Sequence, residues 1–280
     1  MKLRVRHVSR YVFDAPVKRL AQSHRLWPAE TQGQSVIQWS VETENAVTGS
    51  GFRDGAGDWT QTVTVKGPVS EFTVTAEGLV ETSDTSGVLR GHRERVPASA
   101  YLTGTRITGL TAELRMAAEA ALEGMDAASP LDRAHALARY VSDHVVFAPN
   151  RTEPATTAAE ALEGGEGVCQ DHTHVLIALA HAADIPARYV TGYMLSTEDS
   201  QGAEASHAWA ELHVHGLGWV GFDAANRCCP NEYYIRLGSG YDASDAAPIR
   251  GIVDGATQET LDVSVAVTDS ARQSQSQRQQ

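Results

Sequence analysis

Up to about residue 105 the chain alternates between buried-type and polar positions, a period of two that is typical of strands with one buried face. At the N-terminus the basic residues occupy the even-numbered positions. Turn-forming segments, RDGAGD (53–58) and KGP (66–68), separate further runs of the same kind. The residues expected on the buried face are Leu3, Val5, His7, Ser9, Tyr11 and Phe13. The alternation therefore predicts an all-β N-terminal domain over residues 1–105.

After about residue 107 the apolar spacing becomes helical. Ser129 is followed by Pro130 and stands three positions before Asp132, which predicts the N-terminus of one helix. Thr157 and Glu160 form a capping-box pattern at the start of another. The helix-spaced apolar residues that precede both are Leu110, Leu114, Ala117, Ala121 and Met125.

Strand-like runs return after Pro186 as ARYVTGYML, HAWAELHV and GWVGFD. Helices followed by strands predict an α+β core over residues 106–268. The polar sequence SARQSQSQRQQ that ends the chain predicts a disordered tail over 269–280.

Charge and cysteine content narrow the function. The formal net charge of −12 argues against nucleic acid as a partner. The segment MKLRVRHVSR lacks the apolar centre of a signal peptide, and no apolar stretch is long enough to span a bilayer. Three cysteines, with Cys228 and Cys229 adjacent, do not form a disulfide framework. We therefore expect a cytoplasmic protein with reduced thiols and no membrane association.

The segment GEGVCQDHTH (165–174) places Cys169 immediately before the most apolar helical run, VLIALA. A cysteine at a helix N-terminus faces unpaired N–H groups and the positive end of the helix dipole, which favour the thiolate. The alternative is that Cys169 is a small buried residue.

A nucleophilic thiol needs a base and a group that orients the base. His207 begins a predicted strand 38 residues after Cys169, and Asp223 lies near the end of the next strand, 16 residues after His207. This order of residues on a helix N-terminus and two adjacent strands is what a papain-like arrangement requires. The sequence therefore predicts a Cys–His–Asp triad.

The triad depends on strand register, because side chains alternate across a sheet. A plain two-residue turn at Gly216-Leu217 would put His207 and Asp223 on opposite faces. We therefore predict an odd-length loop or a bulge within 213–219, with Gly216 and Gly218 at positive φ. His207 Nδ1 is expected to donate to Asp223, with Nε2 facing the sulfur of Cys169.

Several segments resemble the bacterial transglutaminase-like proteins, among them GVCQDHTH, ADIPARYVTGY and SHAWAELHVHGLGWVGFDAANRCCP. The resemblance covers roughly residues 1–268. It implies a papain-like transglutaminase core with catalytic Cys169, His207 and Asp223 behind a family-specific β domain. The chain departs from the family pattern at Ala224, where a proline is usual, and in the looser segment GSGYDASDAAPIRG.

Residues beside the triad are expected to border a cleft for a peptide or protein substrate. Gly167 and Gln170 flank Cys169, and Trp209 lies on the strand face of His207, although core packing is the slightly favoured explanation of Trp209. No zinc-binding spacing or calcium loop supports a metal site, so we predict no metal and no cofactor.

Three classes of function remain open. The first is a thiol acyl-transfer enzyme on peptide or isopeptide amides, either hydrolytic or cross-linking, with hydrolysis favoured. The second is an enzyme of the arylamine N-acetyltransferase type, disfavoured because the arginine-glycine-glycine segment before the cysteine is missing. The third is a non-catalytic binding protein, disfavoured because all three triad residues are present. The oligomeric state is left open.

Overall fold

The computed structural model describes residues 1–195, 206–255 and 258–270. The N-terminal alternation forms one long strand, β1 (Lys2–His24), whose odd-numbered side chains from Leu3 to Phe13 are buried as predicted. Its opposite face is solvated, and Arg10 pairs there with Glu71 at 2.5 Å. The strands that follow are β2 (Gln34–Thr43), β3 (Val47–Arg53) and β4 (Trp59–Thr82). They form an antiparallel sheet around β1 and β4.

Two C-terminal strands complete this first sheet. β11 (Ile249–Asp254) and β12 (Glu259–Asp269) both pair with β1. Residues 249–254 and 259–268 fall in the range that the sequence analysis gave to the catalytic core, and they pair with the sheet of the N-terminal region. The alternation identifies β12 as a strand but not the sheet that it joins. In the structure Val265 and Val267 pack against the cluster of Leu3 and Val5 on β1.

The core consists of helices packed on a second antiparallel sheet. The helices are α1 (Ala112–Ala121), α2 (Pro130–His144), α3 (Ala158–Gly164) and α4 (Cys169–Ala182). The sheet has the order β10-β7-β8-β9, with β7 (Ala187–Met194), β8 (Ser206–Val214), β9 (Gly218–Phe222) and β10 (Tyr234–Gly240). A short 3-10 helix (Ala98–Leu102) precedes α1, and a pair of two-residue strands, β5 (Val146–Phe147) and β6 (Glu166–Gly167), lies before α4.

The predicted helix starts are confirmed. Ser129 Oγ accepts a hydrogen bond from the Asp132 amide, and Thr157 with Glu160 forms a full capping box. Helix α4 is the centre of the core, since its residues from Asp171 to His181 are all buried. Cys169 is the first residue of this helix, as the sequence predicts.

Buried ion pairs join the two sheets. Arg188 on β7 and Arg236 on β10 both bind Glu211 on β8. Two carboxylates from the N-terminal region complete the network: Asp58 binds Arg236 at 2.7 Å, and Glu94 binds Arg188 at 2.5 Å. The second sheet thus depends on the N-terminal region for part of its charge compensation.

The tail prediction falls largely on residues 271–280, which lie outside the described residues. Among the helices in the described part of the chain, none has the length and apolar character needed to cross a membrane.

Candidate active site

The loop before Cys169 is fixed by the side chain of Asp171. Asp171 Oδ2 accepts hydrogen bonds from the Val168 amide at 2.8 Å and from Thr152 Oγ1 at 2.6 Å. Gly167 is required beside it, because a Cβ there would come within 2.7 Å of Asp171 Cβ and Oδ2. These contacts hold the first turn of α4 and therefore the position of Cys169.

The β8–β9 hairpin has the register that the triad needs. Val214 pairs with Gly218 and Ala210 with Phe222, so the loop consists of the three residues 215–217. Gly216 and Gly218 both have a φ of +84°. The prediction of an odd-length loop with these glycines at positive φ is confirmed. One step beyond Phe222, Asp223 falls opposite Trp209 and on the strand face of His207.

His207 and Asp223 meet through a short hydrogen bond. The distance between His207 Nε2 and Asp223 Oδ2 is 2.6 Å, with the His207 side chain 8% exposed and that of Asp223 1% exposed. The predicted choice of nitrogen is wrong, since Nε2 and not Nδ1 contacts the carboxylate. Asp223 is the diagonal neighbour of His207, and diagonal neighbours are generally about 7–8 Å apart, which favours contact through the distal nitrogen.

The other side of His207 contacts Cys169 through a side-chain hydrogen bond. Because Nε2 is bound to Asp223, Nδ1 is the nitrogen left for the sulfur. Burial opposes the charged imidazolium, but the hydrogen bonds to Asp223 and Cys169 outweigh burial and raise the pKa of His207 to about 10. An imidazolium beside a thiol favours the thiolate.

Two further residues hold Asp223, and sequence reasoning missed both. Asn226 donates from Nδ2 to Asp223 Oδ2 at 2.7 Å and from its backbone amide to Oδ1 at 3.1 Å. Tyr234 Oη lies 2.8 Å from Oδ2. Burial raises the pKa of Asp223, but the hydrogen bonds from His207, Asn226 and Tyr234 outweigh it and keep that pKa below the ordinary value. The spacing of Asp223 and Asn226 suits a local turn, whereas nothing local points to Tyr234.

The residues expected to border the cleft take different positions. Gly167 is buried and pairs with Phe147, while Gln170 is half-buried and its amide donates to the Pro154 carbonyl at 3.3 Å. Trp209 is 3% exposed and packs edge-on against Tyr234, with ring centroids 5.5 Å apart. This burial is what the packing alternative for Trp209 predicts.

Two further histidines, His172 and His174, have structural contacts. Both ring nitrogens of His172 face backbone carbonyls, those of Val168 and Val145, and His174 Nε2 accepts from the Ala243 amide. Cys169, Cys228 and Cys229 are all free thiols. Within 1–195, 206–255 and 258–270, no three histidine, cysteine or acidic side chains are grouped so that they could bind a metal ion.

Comparison with known proteins agrees with this architecture. Residues 119–224 match the family model of the transglutaminase-like superfamily, and residues 3–81 match that of the bacterial transglutaminase-like N-terminal region. The chain therefore contains a transglutaminase-like core and a bacterial transglutaminase-like N-terminal region, which confirms the resemblance seen in the sequence.

Particular relatives cover nearly the whole chain. An uncharacterized protein of Mycobacterium leprae is 28% identical over 286 residues, which is 95% of this chain and 98% of that protein. An uncharacterized protein of Mycobacterium tuberculosis is 28% identical over 291 residues, with 95% and 92% covered. A crystal structure from Cytophaga hutchinsonii, titled a "putative cysteine protease", superposes with a TM-score of 0.72 at 21% identity and covers 96% of this chain and 91% of its own. At that identity the superposition establishes the α+β fold.

Proposed function

We propose that the protein is a thiol-dependent acyl-transfer enzyme that acts on peptide or isopeptide amide bonds, with Cys169 as nucleophile, His207 as base and Asp223 as the orienting group. The observation that carries the proposal is the position of His207. One of its nitrogens is bound to a buried carboxylate, and the ring also contacts a thiol at the N-terminus of α4. This is the arrangement that a thiolate–imidazolium pair requires.

In the proposed reaction the Cys169 thiolate attacks the carbonyl carbon of the amide. The C=O electron pair moves to oxygen, and N–H groups of the first turn of α4, which lack partners within the helix, stabilise the oxyanion. His207 then gives its proton to the nitrogen of the leaving amine, the C–N bond breaks, and a thioester with Cys169 remains.

Water completes the cycle as we propose it. His207, now neutral, takes a proton from water as the oxygen attacks the thioester carbonyl, and the carboxylic acid leaves while Cys169 is restored as thiolate. If a primary amine took the place of water, the same steps would give transamidation. Because no motif dedicated to an amine acceptor is visible, we favour hydrolysis.

Cysteine labelling tests the nucleophile without knowledge of the substrate. At neutral pH iodoacetamide should alkylate Cys169 faster than the other two thiols, as followed by peptide mass spectrometry. Burial raises the pKa of Cys228, and it raises the pKa of Cys229 to about 11, so both are mainly thiols at pH 7. Faster labelling of Cys228 or Cys229 would contradict the assignment of Cys169.

Turnover assays distinguish hydrolysis, transglutamination and acetyl transfer. On glutaminyl and isopeptide substrates Cys169→Ala should lose activity on the order of 10⁴-fold or more, whereas the matched Cys229→Ala should keep it. Added primary amine should remain largely unincorporated if water is the acceptor. Efficient amine incorporation would instead assign transglutamination, and acylation by acetyl-CoA alone would assign the N-acetyltransferase alternative.

A further inference from the structure

Tyr234 lies at the opposite edge of the second sheet from the strand that leads to Asp223. β10 and β9 are the two edges of the order β10-β7-β8-β9, yet the buried Tyr234 side chain reaches across to the carboxylate. Its ring packs edge-on against Trp209, and its centroid lies 5.9 Å from that of His207. Tyr234 thus lies against the proposed base and contacts two of the groups beside it.

The direction of its hydrogen bonds follows from the groups involved. The Asp223 carboxylate can only accept, so the Tyr234 hydroxyl donates to Oδ2 at 2.8 Å. Cys228 Sγ lies 3.3 Å from Tyr234 Oη and must then donate its S–H to that oxygen. Burial raises the pKa of both Tyr234 and Cys228, so both protons are present at neutral pH.

Donors from two parts of the fold therefore converge on Asp223 Oδ2 beside His207. Asn226 belongs to the same loop as Asp223, whose backbone pairs with Cys228. Tyr234 belongs to a buried strand and ties the carboxylate to the rest of the sheet. Without the hydroxyl, Oδ2 would be held against His207 by its own loop alone.

We infer that Tyr234 is a positioning residue for the proposed reaction, which holds Asp223 so that its Oδ2 meets His207 Nε2. The inference rests on the proposed function of Cys169, His207 and Asp223. Within 1–195, 206–255 and 258–270, the groups that face His207 are Cys169 from α4, Trp209 from its own strand, Tyr234 from β10, and Asp223 and Asn226 from the loop after β9. Cys228 does not belong to this group, but its thiol donates to the Tyr234 hydroxyl.

The test is the pH dependence of Cys169 alkylation in the full-length chain. Tyr234→Phe keeps the ring packing and removes the hydroxyl. In the plot of the Cys169 alkylation rate constant against pH, the variant should react about tenfold more slowly on the acidic side of the curve. The midpoint of that rise should move about one pH unit higher. Tyr233→Phe is the matched control, because the Tyr233 hydroxyl has no hydrogen bond within the described part of the chain, and it should leave the profile unchanged.

Two further variants separate positioning from general damage. In an Asp223→Ala background, Tyr234→Phe should have no additional effect, since the two residues act through one contact. 4-Aminophenylalanine at position 234 keeps both ring and donor and should stay within about twofold of the wild type. Circular dichroism verifies that each variant is folded.

The outcomes distinguish the two proposals. Slow alkylation of wild-type Cys169 would overturn the proposed function itself. Rapid alkylation of Cys169 in the wild type with an unchanged profile in Tyr234→Phe would overturn only the role of Tyr234. Two other results would also overturn the role of Tyr234. One is that Tyr234→Phe slows Cys169 alkylation as much in the Asp223→Ala background as in the wild type. The other is that the protein with 4-aminophenylalanine at position 234 is alkylated as slowly as Tyr234→Phe.

Discussion

Asp58, a side-chain carboxylate of the N-terminal region, can be replaced to test the buried ion network of Arg188, Arg236 and Glu211. Its two oxygens have separate partners: Oδ1 accepts from Arg236 Nη1 at 2.7 Å, while Oδ2 accepts from the Ser239 amide at 2.7 Å and from Ser239 Oγ at 3.0 Å. Asp58 is 1% exposed and Arg236 5%. In Asp58→Asn one oxygen becomes an NH₂ group, so whichever way the amide turns, a donor faces a donor.

The expected loss follows from the charges that remain. After the change, Arg236 has Glu211 as its carboxylate partner, and Glu211 also serves Arg188. Removal of one partner from a buried ion pair costs about 3–5 kcal/mol when the other charge is left without compensation. Arg236 keeps Glu211 here, so the expected loss is that of buried donors without an acceptor, about 1–3 kcal/mol. That is a sizeable part of the roughly 5–15 kcal/mol that stabilises a typical folded protein.

Urea denaturation followed by tryptophan fluorescence measures this loss. The matched control is Glu71→Gln, which breaks the Arg10–Glu71 pair on the exposed face of β1, where the ions are 2.5 Å apart. Solvent screens that pair, so the denaturation midpoint of Glu71→Gln should equal that of the wild type within error. A loss below about 1 kcal/mol in Asp58→Asn, or an equal shift in both variants, would refute the reasoning.

Two other predictions concern the active site. The ring protons of His207 should titrate in NMR spectra near pH 10, and Asp223→Asn should move this midpoint down, because the carboxylate bond raises the pKa. Since that pKa lies above the 6.5 of an unfolded chain, the imidazolium contributes stability that is complete below about pH 6.5 and is lost as the pH rises through about 10. A wild-type midpoint near 6.5 would contradict the assignment. Gly167→Ala should slow Cys169 alkylation, because its Cβ displaces Asp171 from the Val168 amide, whereas Gly164→Ala, with no heavy atom within 4 Å of the new Cβ, should not. Equal rates for the two alanine variants would show that Asp171 does not fix the loop.

Local rules were sufficient for most of the elements that position the site. Capping residues and spacing located the starts of α2, α3 and α4, and the alternation of side chains predicted an odd loop between β8 and β9. These features depend on residues a few positions apart. The same counting could not choose the histidine nitrogen, because that choice depends on the diagonal offset between His207 and Asp223 in three dimensions.

Contacts between distant segments account for what the sequence did not reveal. Tyr234 contacts Asp223 because β10 and β9 are brought together by the sheet and the loop after β9, and no periodicity encodes that meeting. The pairing of β11 and β12 with β1 could not be predicted for the same reason. Alternation identifies a strand and its buried face, but it does not show which of the two sheets the strand joins. In the structure β11 and β12 both pair with β1.

The charge balance of the network links the transglutaminase-like core of this chain to the N-terminal region. On the second sheet itself, Arg188 and Arg236 face one carboxylate, Glu211. Asp58 and Glu94, both from the N-terminal region, supply the remaining negative charge. A core without them would bury two guanidinium groups against one carboxylate, at a cost comparable to that of a broken buried ion pair. Because β8 carries both Glu211 and His207, and β10 both Arg236 and Tyr234, the strands that this compensation stabilises are the strands that position the candidate triad.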